Sequence, residues 1–461
     1  MSDLDRRRFL HASALAGGAL LAPSLTGLIS CAASPSRTFD PRVRRAEKGE
    51  GGYGPLIPSK EIGEIISIPI GFHAALLSTS GQDMVGGVVP NAFDGMAAFA
   101  AGHDTVRLVR NHELRDTPEV SRPFGGRPYD RLGPGGTTTL EVRLGPDGRA
   151  TLVREFASLT GTIVNCAGGP TPWGSWITCE ETVAGTGDGW TRNHGYTFEV
   201  PSSANGVVNP VRLGAMGRFQ HEAVATDPAN GWIYQTEDRT PAGFYRFKPT
   251  VPSWLARGGM LEALAILGQD GYQTATNQAP LVPRKVKWVR IDHPDSDAPT
   301  LDSGFVFNQG LAKGAAQFAR LEGCWYGDSS IYFNATSGGN AGAGQVWQYH
   351  TGRHELRLIF ESPSTAVLNS PDNICVSPRG GVVICEDGAG TNYVRGLTRD
   401  GAIFDLVRNN INDIEWAGAC FSPQGRTLFV NIQGNTWPIQ APNGAKGMTF
   451  AIWGPWESGA L

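Results

Sequence analysis

Short apolar runs alternate with glycine-marked turns along most of this chain, the pattern of many short β-strands and few helices. Four of these runs share one form: a turn glycine, an apolar strand, and an acidic or amide residue six positions after the glycine. They run from Gly174 to Glu180 and Glu181, from Gly231 to Glu237 and Asp238, from Gly380 to Glu386 and Asp387, and from Gly425 to Asn431. Two looser relatives, HDTVRLVRNHE at 103–113 and GDSSIYFNATSGG at 327–339, bring the number to six. The last two glycines are 45 residues apart, the length of one propeller blade. The pattern predicts an all-β chain, a six-bladed β-propeller over residues 61–461 with a metal site in its central channel. Strands that rise from a turn and end in carboxylates or amides would gather those groups at one end of the channel. Clustered carboxylates without matching cations imply metal ions, because like charges in a dry site do not all stay ionised unaided. An ordinary solvated turn is the alternative for any one strand end; four in register favour a shared site.

Other elements follow from local signals. EIGEIISIPIGF (61–72) and MAAFAAGHDTVRLVRNHE (96–113) alternate like strands, and a Pro-Asp-Gly turn joins two more in TTTLEVRLGPDGRATLVREF (137–156). SWLARGGMLEALAIL (253–267) is the best helical signal, placed as a decoration on a loop. The last strand, GMTFAIWGPW (447–456), is expected to close the ring with an early one, which removes the sheet edges.

Composition and charge narrow the function. With 61 Gly and 31 Pro and only 18% charged residues, the chain reads as a loop-rich globular β protein. The formal charge of −4 excludes a general nucleic-acid-binding protein. Residues 1–30 carry Arg6-Arg7-Arg8-Phe9-Leu10 before a Gly/Ala-rich apolar run, the form of a twin-arginine export signal. That signal predicts engagement of the twin-arginine export machinery and a periplasmic or extracellular location. Leu28-Ile29-Ser30-Cys31 has the form of a lipobox, so Cys31 is a candidate lipidated residue and membrane anchor; simple cleavage nearby is the alternative. Residues 31–60 read as a flexible tether.

Six further cysteines are Cys166, Cys179, Cys324, Cys375, Cys385 and Cys420. Cys179, Cys385 and Cys420 lie in or beside apolar strands, where a free buried thiol is the common occupant, so few disulfides are expected. Cys166 lies in Asn165-Cys166-Ala167-Gly168-Gly169, read as a loop whose small residues leave the sulfur accessible to a ligand.

The candidate metal carboxylates are Glu113, Glu180, Glu222, Glu237, Glu322 and Glu386, with Glu181, Asp238, Asp387 and Asn373 as further metal or phosphate contacts. For Glu222 and Glu322 the alternative to a metal is an arginine partner. Asp238, beside Arg239, carries the same alternative, and Glu181 and Asp387 stand open in the same way. His112 and His221 are open between ligation and a hydrogen bond to a neighbouring loop. Asn373 and Asn431 are open between ligation and turn capping. Trp173 and Trp176 are expected to pack rather than stack on substrate. No nucleophile elbow, zinc-protease helix, phosphate-cradling loop with lysine or C-x-x-C competes.

Longer strings carry a family resemblance: Asn111-His112-Glu113, GTIVNCAGGPTPWGSWITCEE (161–181), RFQHEAVATDP and IYQTEDR (218–239), RLEGCWY (320–326), PDNICVSPRGGVVICEDG (371–388) and GACFSPQGRTLFVNIQG (418–434). In these the chain resembles the PhoX family of bacterial alkaline phosphatases. The resemblance implies a six-bladed propeller, twin-arginine export and a calcium-dependent phosphomonoesterase with iron and calcium, Fe(3+) and Ca(2+), in its site. It implies that Cys166 is the iron thiolate, with Cys179 as the other candidate, and that Arg320 is a catalytic, phosphate-contacting arginine whose planar fork suits an oxyanion. The bottom-up chemistry agrees, since phosphate monoester hydrolysis needs cations that neutralise the phosphoryl oxygens and activate an oxygen nucleophile. Two other readings stand beside it. One is a calcium-dependent lactonase or other ester hydrolase, which needs a single metal and no thiolate; the other is a non-catalytic module that binds metal or ligand.

Overall fold

A computed structural model describes residues 43–441 and 443–461. The predicted export signal, Cys31 and the tether up to residue 42 lie outside the described residues. Six strands line the centre and touch in a closed ring: β1 (Phe93–Ala100), β2 (Asn165–Pro170), β3 (His221–Asp227), β4 (Leu321–Gly327), β5 (Pro371–Val376) and β6 (Trp416–Phe421), with β6 against β1. Each is the inner strand of an antiparallel sheet that steps outward, and the repeated glycine-strand segments are the second strands of these sheets. The four repeat glycines sit at the turns between first and second strands with φ of 83° at Gly174, 70° at Gly231, 85° at Gly380 and 69° at Gly425. That left-handed conformation is why glycine recurs there. The sheets begun by β3 and β4 join at their outer edges through a two-residue pairing of Arg284 with Leu356 and Lys285 with Glu355.

The core lies between neighbouring sheets. Cys375, Val383, Cys385, Trp416, Leu428 and Phe450 pack in one such layer, and Ala223, Tyr234, Phe244, Cys324, Phe333 and Trp347 in another. All six described cysteines are free and buried. Met448–Trp453 pairs with His73–Thr79, so a late and an early strand share the sixth sheet and close the ring as expected.

Two expectations need correction. The helix expected over 253–267 is a short 3₁₀ turn, Leu255–Arg257, followed by the strand Gly259–Ile266. That strand is buried over Leu261–Ile266 on both faces, and such a strand reads as an unbroken apolar run that periodicity does not separate from a helix. The tether was expected to extend to residue 60, but Ala46 and Tyr53 belong to the core and Leu56–Pro58 pairs with Ile66–Pro69. Tyr53 donates its hydroxyl proton to the carbonyl of Trp456 at 2.9 Å and accepts from the Leu461 amide at 2.9 Å, which ties this segment to the last residues of the chain.

Candidate metal centre

Every inner strand is bulged near its start. Register with the second strand slips between Phe93 and Met96, Asn165 and Gly168, His221 and Val224, Leu321 and Cys324, Pro371 and Ile374, and Ala417 and Cys420. A bulge leaves an extra residue unpaired and re-aims its side chain. The first residue of each bulge is, in ring order, Asp94, Cys166, Glu222, Glu322, Asp372 and Gly418. The one after it is small or short: Gly95, Ala167, Ala223, Gly323, Asn373 and Ala419. A Cβ on Gly95 would stand 2.6 Å from Cα of Ala167, and one on Gly323 would stand 2.6 Å from the carbonyl oxygen of Asp372. Neighbouring inner strands therefore meet backbone to backbone here, and this close approach draws the preceding acid and thiol side chains together.

The second strands add the residue just past their ends, Glu113, Glu181, Asp238 and Asp387, and the segment leading into β6 adds Glu415. Four groups of three have their ligand atoms within 4.8 Å of one another: Asp94–Glu113–Cys166, Cys166–Glu181–Glu222, Glu222–Glu322–Asp372 and Asp372–Asp387–Glu415. Consecutive groups share a member, so together they form one continuous arc. The Cys166 Sγ donates to Glu222 Oε1 at 3.2 Å and lies 3.7 Å from Asp94 Oδ2. Gln433 Nε2 donates to Asp94 Oδ2 at 2.9 Å and to Glu113 Oε2 at 2.7 Å. Two guanidinium groups complete the arc. Arg115 Nη2 donates to both Glu113 and Glu181. Arg320 holds Asp238 through Nε at 2.8 Å and Nη2 at 3.0 Å, and reaches Glu322 Oε1 at 2.6 Å.

Acids outnumber cations heavily in this arc, and the electrostatics show it. Burial first, then the neighbouring carboxylates, push Asp94, Glu222, Glu322, Asp372 and Glu415 well above the usual carboxylate range. Burial and the charges of Asp94 and Glu222 push the Cys166 thiol up as well. Burial also raises Glu181, against the opposing pull of Arg115. Asp238 alone goes the other way: burial would raise it, but Arg320 outweighs burial and lowers it. Asp94 Oδ1 and Glu222 Oε2 are buried with no partner. Buried anionic oxygens without donors are what a bound cation would satisfy. The donor sets fit two kinds of cation. A thiol with carboxylates suits iron, whereas the oxygen-only groups suit calcium.

Several expected ligands stand elsewhere. Glu180 accepts from Gly195 and Tyr196 amides at 2.9 and 3.2 Å and lies 2.6 Å from His194 Nδ1. Glu237 accepts from the Tyr245 hydroxyl at 2.7 Å and the Gly243 amide at 2.9 Å. Glu386 pairs with Arg395 at 2.8 Å. All three are the sixth residue after the repeat glycine and the last of a second strand, and their side chains turn back into their own sheets. Side chains alternate along a strand, so the seventh residue, Glu181, Asp238 or Asp387, is the one that meets the arc. Asn373 is likewise displaced by one, and its neighbour Asp372 supplies the oxygen. Asn431 donates to the carbonyl of Asp94 at 2.8 Å, linking the sixth sheet to the first. His112 is held by the Asn91 carbonyl and Thr138, and His221 by the Gly217 carbonyl; neither joins a group. Trp176 is buried and donates to Asn111, and Trp173 donates to Glu199. Cys166 lies in a strand, buried, rather than in an open loop, and Cys179 lies in the core. Asp94, Asp372, Glu415 and Arg115 escaped the sequence reading. The signal that would have found the first two is the recurring triplet of the inner strands, legible in FDG, NCA, HEA, LEG and PDN.

No functionally curated protein matches the sequence significantly. Among solved structures, PhoX of Pseudomonas fluorescens in complex with vanadate, a transition state analogue, superimposes with a TM-score of 0.65 at 19% identity, over 89% of this chain and 99% of that one. A gluconolactonase from Xanthomonas campestris, XC5397, aligns at 13% identity with a TM-score of 0.42, over 88% of this chain and 99% of that one. The first likeness establishes the propeller fold. The model of the family described as alkaline phosphatase PhoX matches residues 51–435, which takes in all six inner strands and every residue of the arc, and on that match the chain belongs to the alkaline phosphatase PhoX family.

Proposed function

We propose that this chain is an exported phosphatase that hydrolyses phosphate monoesters at the arc of acids at one end of a six-bladed ring, with iron held by the thiol-containing groups and calcium by the oxygen-only groups. Family membership supports the reaction class. The observation that carries the site is the joined series of four groups, running from Asp94 to Glu415 through Cys166, with unpartnered buried oxygens on Asp94 and Glu222. Asp94, Glu113, Cys166, Glu181 and Glu222 would hold iron, and Glu222, Glu322, Asp372, Asp387 and Glu415 would hold calcium. Bound metals supply neutralising charge and an activated oxygen nucleophile, so no side chain need attack phosphorus. Arg320 would bind the substrate. Its Nε and Nη2 are engaged by Asp238 and Glu322, which fix the plane of the guanidinium and leave Nη1 to meet a phosphoryl oxygen. At the start of the chain, residues 1–30 would direct twin-arginine export to the periplasm, and Cys31 would take a lipid anchor.

The test is elemental analysis of the purified protein beside hydrolysis of p-nitrophenyl phosphate at alkaline pH, with and without calcium. Bound iron and calcium with calcium-dependent turnover are expected. Calcium alone with no phosphatase turnover overturns the reading in favour of a lactonase or a binding module.

Two further results are expected. Arg320→Met should lower kcat/KM for p-nitrophenyl phosphate by about 100-fold and weaken inhibition by inorganic phosphate in parallel, with Arg320→Lys recovering little because an ammonium lacks the fork. Stripping metal with a chelator should lower the melting temperature at neutral pH, because the arc then holds mutually repelling carboxylates; added calcium should restore it. An unchanged melting temperature would mean that the arc holds no metal in the purified protein.

A further inference from the structure

Arg115 follows Glu113 by two residues, and its backbone amide donates to the Thr436 carbonyl at 2.9 Å, which fixes the turn against the sixth sheet. Its Nη2 bridges Glu113 of the first sheet and Glu181 of the second. Glu113 belongs to the group Asp94–Glu113–Cys166, and Glu181 to the group Cys166–Glu181–Glu222. One guanidinium therefore ties together the outer carboxylates of the two groups that share the thiol. The arrangement is costly, since Arg115 Nε is buried with no partner, and two charge-assisted contacts offset that loss. The side chain of Arg115 is 21% exposed against 39% for Arg320, so it faces the acids more than the channel mouth.

We infer that Arg115 is a positioning residue that sets the geometry of the two thiolate-sharing metal sites, a role that rests on the metal-dependent reading above. Charge and geometry predict opposite results when it is removed. Loss of one positive charge beside an acidic arc would tighten binding of any cation. Loss of the bridge frees Glu113 and Glu181 to separate, and weakens binding only where those carboxylates and the thiolate must converge. Partners of this kind, which orient ligands from behind, typically change metal affinity by about 10–100-fold.

The experiment uses the full-length protein stripped of metal and titrated with Co²⁺, whose thiolate charge-transfer absorption reports ligation by Cys166, and separately with Ca²⁺. The parent should give the absorption and Cys166→Ser should lose it. Arg115→Met should weaken Co²⁺ binding at that absorption by about tenfold or more, while Ca²⁺ binding stays equal or tightens. Arg115→Lys should weaken Co²⁺ binding severalfold, because an ammonium restores charge without the planar fork. Co²⁺ binding by Arg115→Met as tight as in the parent, or tighter, overturns the inference. If Arg115→Met does not fold, parent-like Co²⁺ affinity in Arg115→Lys overturns it. Absence of the absorption in the parent overturns thiolate ligation itself and the role of Arg115 with it, a result distinct from one confined to the Arg115 variants.

Discussion

Glu222→Gln should reduce phosphatase turnover by about a thousandfold or more, roughly 4 kcal/mol of transition-state stabilisation. Glu222 is shared by two of the four groups, one with the thiol and one all-oxygen, so a single isosteric change weakens both. Glutamine keeps the shape and a carbonyl oxygen but not the charge. The same variant should move stability in two directions. In the metal-free protein, burial and the nearby Glu322 and Asp372 already disfavour an ionised Glu222, so the neutral amide should raise the melting temperature. In the metal-loaded protein it should lower it, because a ligand is lost. Turnover within tenfold of the parent, measured with p-nitrophenyl phosphate beside metal content, would remove Glu222 from the proposed site.

Stability should fall by about 3 kcal/mol as the pH rises through the titration of His194, which sits behind the arc against Glu180. His194 is fully buried between Glu180, 2.6 Å from Nδ1, and Asp130, 3.4 Å from Nε2, with the edges of Tyr129 and Trp190 packed on the ring. Arg218 Nε donates to its backbone carbonyl and stays off the imidazole. Burial alone would lower His194, but Glu180 and Asp130 outweigh it and hold the imidazolium up to about 9, from an ordinary 6.5. The folded state thus binds the proton more tightly than the unfolded chain. The contribution is complete below about pH 6.5 and is lost as the pH climbs through about 9. Urea unfolding from about pH 6 to about pH 10, compared between the parent and His194→Phe, isolates this, and profiles of equal slope in the two would refute it. His194→Phe should cost about 3–5 kcal/mol at neutral pH, because it leaves two buried carboxylates facing an apolar ring.

The repeat that made the fold legible also misdirected part of the site. Turn glycines with positive φ and the apolar strands after them are local features, so Gly174, Gly231, Gly380 and Gly425 marked the sheets directly. Which side chain faces the centre depends on parity, and the count from the glycine placed Glu180, Glu237 and Glu386 as the metal ligands and Glu181, Asp238 and Asp387 only as further contacts, the reverse of the order the arc shows. Glu113, Glu222, Glu322 and Cys166 were found through longer strings of residues. Asp94 and Asp372, which were missed, share the bulged position of Cys166, Glu222 and Glu322, where two residues face one partner and no alternation survives, so strand pattern alone marks none of the five. Arg115 and Glu415 lie in irregular backbone, and their place depends on contacts between sheets that are far apart in sequence.

The way the ring closes joins parts of the chain made early and late. Met448–Trp453 pairs with His73–Thr79 to complete the sixth sheet, and Gln433, which holds Asp94 and Glu113, lies in the same late part of the chain. During synthesis Asp94, Glu113 and Cys166 therefore emerge well before Gln433, the side chain that holds two of them in place. A chain cut before Gln433 would keep the thiol and both acids of the first group but lose the amide that holds those acids together.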